Sequence, residues 1–211
     1  AAHAHARVAG ADALLDGPFG QKLLDKLPEK GLIGLGFWEN GFRQITNNRR
    51  PVSKAEDIPG LKIRVIQNPL FIESFNTLGA NALPMPFTEL YTAMETKAVD
   101  GQENPTATIL ATKFYEVQKH LVMSRHIYSV WVLLLSKKTW DSFSADEKKA
   151  VQDAAREATL FERKTIREFG ENALGEGVGE RLSALALPTA WYLVLVPPVA
   201  LSTAEVFNDN A

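Results

Sequence analysis

The sequence predicts an α/β layer fold, and three observations carry that expectation. Residues 61–65, Leu-Lys-Ile-Arg-Val, make a short apolar run of the kind a buried strand gives. Asn68-Pro69 then opens a helix over 70–78, residues 83–86 are extended, and a second helix runs over 87–97. Residues 98–105 leave that helix, extend briefly, and end as a polar loop at Pro105. Strand, helix, extended segment, helix and strand is the alternation of a sheet covered by helices. The chain has 211 residues, 45% hydrophobic and 23% charged. That is ordinary globular composition, with length for one large domain or two small lobes.

Taken in order, Asp16-Gly17-Pro18 reads as a helix start, with Asp16 as N-cap and proline in the first turn. Phe19, Leu23, Leu24 and Leu27 form its apolar face, and Gly31 ends it. Residues 32–38 read as a buried strand. Glu39-Asn40-Gly41 is expected to turn a hairpin, because Asn-Gly supplies the positive φ angles such turns need. Residues 42–46 would return as its second strand, carrying Arg43. A polar connector with Pro51 and Pro59 holds one helical turn at 53–57, and the strand at 61–65 follows. Gly79 closes the helix that Asn68-Pro69 opens. The helix at 87–97 turns Leu90, Tyr91 and Met94 toward a core. After Pro105 come a helix to about residue 115 and extended segments at 121–123 and 127–135. Ser144-Ala145-Asp146-Glu147 is a capping box. It starts a long amphipathic helix to about residue 174, with Val151, Ala155, Ala158 and Phe161 inward.

A net charge of −2 gives no basic face from totals and argues against nucleic acid as a partner. The absence of cysteine excludes structural disulfides and thiolate metal sites without fixing the compartment. His3, His5, His120 and His126 form no HExxH pattern, so no metal site and no cofactor is expected. The Ala-rich start is expected to be frayed, and it lacks the basic-then-apolar order of a signal peptide. The apolar stretch at 185–201 contains Pro188, Pro197 and Pro198 and is shorter than the ~20 residues of a spanning helix. No membrane insertion is read.

Arg64 lies in an otherwise apolar strand. An unpaired buried guanidinium is costly, so it needs a partner. Two readings stand: a charge that reaches solvent or pairs with an acid, and a ligand contact at the carboxyl end of a strand, where ligands of open α/β sheets collect. Arg43 is the weaker candidate, and Arg49 and Arg50 read as surface loop charges. Pro105 holds Asn104 extended, as a loop turn or as a presented amide. Phe87, Trp38 and Trp131 are core or lining aromatics. Asp100 and Glu103 read as a helix cap and a loop acid, not a catalytic dyad. There is no GxSxG, no P-loop and no dinucleotide-binding turn.

Four motifs in register then resemble one family. They are Phe42-Arg43-Gln44-Ile45-Thr46-Asn47 leading to Asp57-Ile58-Pro59-Gly60-Leu61-Lys62-Ile63-Arg64-Val65, then Met85-Pro86-Phe87-Thr88-Glu89-Leu90-Tyr91. Ala98-Val99-Asp100-Gly101-Gln102-Glu103-Asn104-Pro105 and Lys113-Phe114-Tyr115-Glu116-Val117-Gln118-Lys119 with His126 complete the match. The stretch from about residue 16 to about 169 resembles the solute-receptor subunits of TRAP transporters, of the DctP type.

The resemblance implies a periplasmic-binding-protein-like, type II-like architecture of two α/β lobes closing over a solute. Here it implies mainly one lobe with crossing strands and a long helix, the amino-terminal lobe lying before this chain. It implies an extracytoplasmic, periplasmic receptor, expected as a monomer, that captures an organic acid anion and hands it to a membrane permease. The family's clamp arginine falls on Arg64, a second arginine on Arg43, the carboxylate-binding asparagine on Asn104 and the lining aromatic on Phe87. Trp131 and Trp38 align with further lining positions. Residues 1–175 are then the solute-binding region, and 176–211 a carboxyl-terminal segment that does not resemble the family. An enzyme, a lyase or hydrolase acting on an organic acid in a similar cleft, is the alternative. An interaction module with Arg64 in a structural ion pair is a third reading.

Overall fold

The computed structural model describes residues 2–175 and 182–186. The expectations for the stretch at 187–211 therefore lie outside the described residues. The described residues divide into two compact units, 2–39 with 130–165, and 40–129 with 166–175 and 182–186. Among the described residues no helix is long and apolar enough to cross a membrane.

Among the described residues seven strands form one mixed sheet: β1 (Leu32–Asn47), β2 (Lys62–Val65), β3 (Asn81–Pro84), β4 (Gly101–Pro105), β5 (His120–Met123), β6 (Tyr128–Ser136) and β7 (Ser183–Ala186). Their order is β3-β2-β4-β1-β5-β7, with β6 paired to β1. β2 runs parallel to β3 and β4, while β1 is antiparallel to β4 and β5. The α/β expectation holds.

In the second unit the sheet is covered on both faces. Successive strand residues point to opposite sides, and Leu121 and Val122 of β5 accordingly fall into different cores. One core joins Ile45, Ile63, Val65 and Val122 to Phe75 of a helix at Pro69–Thr77. Asn68 caps that helix by accepting from the Leu70 amide at 2.9 Å. The other core gathers Leu90, Met94, Val99, Ile109, Phe114 and Leu121. Arg64, between Ile63 and Val65, is thereby sent to the second face.

Several local expectations fail for identifiable reasons. Glu39-Asn40-Gly41 does not turn a hairpin: β1 runs through it as one strand, with only Gly41 at positive φ (107°). Each half finds other partners, β4 and β5 at its end and β6 elsewhere, so nothing pulls the halves together. The amino-terminal residues are not frayed in backbone, since a helix covers Ala2–Asp16. Asp16 ends that helix and does not cap the next, whose N-cap is Gly17 with no side-chain bond. The segment expected as a polar loop is β4, a central strand buried throughout. The helix expected at 87–97 divides into a 3-10 turn, Phe87–Glu89, and a short helix, Leu90–Glu95.

The long helix Ala145–Gly175, which lies in the first unit as far as Thr165, starts at the expected capping box, Ser144 Oγ donating to Glu147 Oε2 at 2.9 Å. Its buried line is Ala155, Thr159 and Arg163, not a line through Phe161, which is 71% exposed. Polar atoms decide that rotation. Thr159 accepts from Trp38 Nε1 at 3.1 Å, and Arg163 donates to Phe37 O from Nε and Nη2 at 3.0 and 2.7 Å while pairing with Asp16.

Gly101 sets how closely β4 approaches β1. A Cβ there would lie 1.9 Å from Thr46 O and 2.9 Å from Asn47 Cα, and both are backbone atoms that cannot swing aside. Gly101→Ala is expected to cost about 3 kcal/mol of stability, as overpacking does. Urea unfolding of the two proteins measures it, and coincident midpoints would refute the close-approach account.

Candidate functional site

β2 and β4 run parallel with Arg64 opposite Gln102, so both point to the same face. Two residues further along β4, Asn104 joins that face. Arg64 and Asn104 are each the last residue but one of their strands. Both therefore sit at the carboxyl edge of a parallel pair, where open α/β sheets collect ligands.

Arg64 is 3% exposed. Its Nε and Nη2 donate to one neutral acceptor, Met85 O, at 3.0 and 2.8 Å. Its guanidinium carbon lies 5.9 Å from the Phe87 ring centroid. Among the described residues no carboxylate pairs with it. Burial pulls the guanidinium below its ordinary value; Glu103 opposes that shift and Arg43 adds to it. It remains a cation at neutral pH. The structural ion pair that the interaction-module reading requires is absent among the described residues.

Arg43 took that role instead. It is 1% exposed, and its Nε and Nη2 hold the two carboxylate oxygens of Glu103, Nη2 at 2.8 Å from Oε1. Nη2 also donates to Glu103 O at 2.7 Å and to Asn104 Oδ1 at 3.0 Å, and the group stacks over Phe71. Glu103 Oε2 further meets His126 Nε2 at 3.2 Å, and His126 Nδ1 meets Ser124 Oγ at 2.7 Å. A carboxylate only accepts, so Nε2 carries the proton. Glu103 reads in the sequence as a loop acid; its burial comes from the pairing of β4 with β1 and β2, which its polar composition does not announce.

Asn104 is 5% exposed and held at both ends of its amide. Its Oδ1 takes the Arg43 bond, and its Nδ2 donates to Gln102 Oε1 at 2.6 Å. Gln102 Nε2 in turn donates to Thr46 Oγ1 at 2.9 Å, across a direct β1–β4 pair.

The structure thus brings Arg43 to Asn104 and Phe87 to Arg64. Phe87 is 46% exposed and its ring lies 5.8 Å from that of Phe114, so it is not a core residue. Trp38 and Trp131 belong to the first unit; Trp38 is bonded to Thr159 and Trp131 is 52% exposed. Ser124, His126 and Glu103 make a hydrogen-bonded line of the kind a nucleophile, base and orienting acid form. Ser124 is 1% exposed, and its hydroxyl is engaged with the His126 ring.

A family described as bacterial extracellular solute-binding protein, family 7 (DctP), matches residues 6–182. The 2,3-diketo-L-gulonate-binding periplasmic protein YiaO of Escherichia coli is 41% identical over 79% of this chain and 49% of its own length. The structure of the sugar acid binding protein DctPAm from Advenella mimigardefordensis, in complex with galactonate, is 52% identical with a TM-score of 0.83. It covers 88% of this chain and 60% of its own. A TRAP periplasmic solute binding protein from Polaromonas, bound to D-erythronate, is 39% identical with a TM-score of 0.84, over 93% of this chain and 65% of its own. The chain spans about half the length of the curated relatives it matches.

The electrostatics of Glu103 make a pH prediction. Burial raises its pKa, but the bonds and charges of His126 and Arg43 outweigh burial and hold it below its ordinary value near 4.5. Its stabilising contribution is then complete above about pH 4.5 and is lost as pH falls through the lowered value. The stability gap between wild type and Glu103→Gln is expected to be constant from about pH 7 to 5 and to shrink below about pH 4.5. Denaturant unfolding across that range reads it. A gap that stays constant into the acid limb would show that the paired form is not the ionised one.

Proposed function

Because the chain belongs to the DctP family of bacterial extracellular solute-binding proteins, we propose that residues 1–175 carry the carboxylate-binding half of a TRAP-type solute receptor. The observation that carries this reading is Arg64: a nearly buried guanidinium at the carboxyl edge of a parallel strand pair, bonded to a carbonyl and to no acid among the described residues. Its planar fork suits both oxygens of a carboxylate, which a lysine ammonium does not match. Asn104 adds the second donor on the same face. Phe87, half exposed beside the guanidinium, covers the apolar part of the solute.

Arg43 has a different part in this reading from the one its alignment implies. Its charge is met by Glu103, so it positions Asn104 and is not a second clamp. A site with one uncompensated cation suits a single carboxylate on a hydroxylated body. The galactonate and D-erythronate complexes of the relatives fit that chemistry. The assignment of Trp38 and Trp131 as lining residues rests on the resemblance alone. The loaded receptor would work in the periplasm and deliver its solute to a membrane permease, and no bond is made or broken.

Arg64→Ala is expected to cost ~2–5 kcal/mol of binding, a loss of roughly 30-fold to several thousandfold in affinity. Arg64→Lys should recover little of it. A thermal-shift panel of galactonate, erythronate, galacturonate and succinate identifies the acid, since a ligand of the folded state raises apparent stability. Calorimetry with that acid then measures the mutants, and unchanged affinity in Arg64→Ala would sink the assignment. Turnover of any bound acid would favour an enzyme instead.

A further inference from the structure

The face of β4 that carries Asn104 also carries a relay that the binding reading does not need. Thr46 Oγ1 accepts from Gln102 Nε2 at 2.9 Å, Gln102 Oε1 accepts from Asn104 Nδ2 at 2.6 Å, and Asn104 Oδ1 accepts from Arg43 Nη2 at 3.0 Å. Thr46 and Gln102 are 0% exposed, Arg43 1% and Asn104 5%, so water does not supply alternative partners cheaply.

The relay has a direction. Arg43 only donates, and Glu103 holds it in place, so the oxygen of the Asn104 amide must face it. The NH2 end must then face Gln102, which in turn must offer its oxygen. Thr46, whose hydroxyl serves as donor or acceptor, closes the chain without opposing that direction. A flipped Asn104 amide would set NH2 against guanidinium and oxygen against oxygen. One N–H of Asn104 is consumed by Gln102, and among the described residues no acceptor takes the other.

We infer that Gln102 is a positioning residue of the solute site: with Arg43 it locks Asn104 so that one N–H, and never the oxygen, is offered beside Arg64. The inference rests on the reading of Asn104 as a solute contact. It deepens that reading into a specificity. Among the described residues the groups this face has left to offer, on Arg64 and Asn104, are donors, so it selects an ionised carboxylate. A carboxamide or hydroxymethyl end would keep one acceptor oxygen but lose the charge and set an N–H or O–H where the second carboxylate oxygen accepts, a mismatch that discriminates without any steric clash. Arg43, by donating to Asn104 Oδ1, draws electron density from the amide nitrogen and so strengthens the remaining N–H as a donor.

The test is a double-mutant cycle read by calorimetry with galactonate as probe, on the full-length protein. Gln102→Met keeps the buried volume and removes the acceptor. It is expected to weaken galactonate roughly 3- to 10-fold, the worth of one hydrogen bond. It should also narrow the preference for galactonate over galactonamide. In an Asn104→Ala background the same substitution should have no further effect on affinity. An equal drop in both backgrounds would make Gln102 merely structural and overturn the inference, as would no drop at all. Should Gln102→Met fail to fold, Thr46→Val removes the far end of the relay and is expected to give a smaller drop that also vanishes without Asn104. If Asn104→Ala alone leaves affinity unchanged while Arg64→Ala lowers it, the Asn104 contact is refuted and this inference with it, whereas the arginine clamp stands.

Discussion

The buried pair of Arg43 and Glu103 is the constraint on which the site depends. Two charges taken out of water are tolerated only when each is paired and its remaining hydrogen-bonding capacity is filled. Glu103 meets that demand with both oxygens, taking Arg43 and His126, and His126 fills its other nitrogen with Ser124. Arg43 has donors to spare and gives them to Glu103 O and to Asn104. The orientation of Asn104 is thus a consequence of satisfying a carboxylate on the other face of the same strand. In the proposed site, substitutions at Glu103 would be felt as changes in recognition as well as in stability.

The two faces of β4 divide the labour. On one, charge is cancelled: a cation, an acid and an imidazole are packed against Phe71 and Phe75. On the other, charge is left over, because among the described residues Arg64 is met only by a carbonyl dipole and an aromatic ring. A one-residue slip of β4 would exchange the faces, placing Glu103 beside Arg64 and extinguishing the free cation. Register is therefore part of the proposed recognition chemistry, and Gly101, which admits the close approach of β1, helps to hold it.

Much of this was legible in the sequence, and the rest was hidden for physical reasons. Arg64 stood out because a charge in an apolar strand is anomalous on its face. Asn68-Pro69 and Ser144 to Glu147 announced helix starts because capping is local chemistry. Glu103 and Gln102 were hidden because a run of polar residues ending in proline has the composition of a loop, and only the strands on either side make it a strand. Gly41 misled for the complementary reason: Asn-Gly permits a reversal without requiring one, and the pairing of β1 with distant strands decided otherwise. Arg163 and Thr159 face inward on the long helix because distant carbonyl and indole groups receive them, which periodicity cannot report.

Those contacts of the long helix have a colloidal consequence. Phe37 O is taken by the fork of Arg163, and the Glu39 amide is taken by the carboxylate of Glu162. Main-chain groups already engaged by charged side chains are not on offer to a strand from another molecule. Two adjacent helix residues of opposite sign thus serve β1 as a clasp against edge-to-edge polymerisation, a protection usually met by charges or prolines on the strand itself. For a protein present at high concentration, such blunting bears on shelf life as much as on fold.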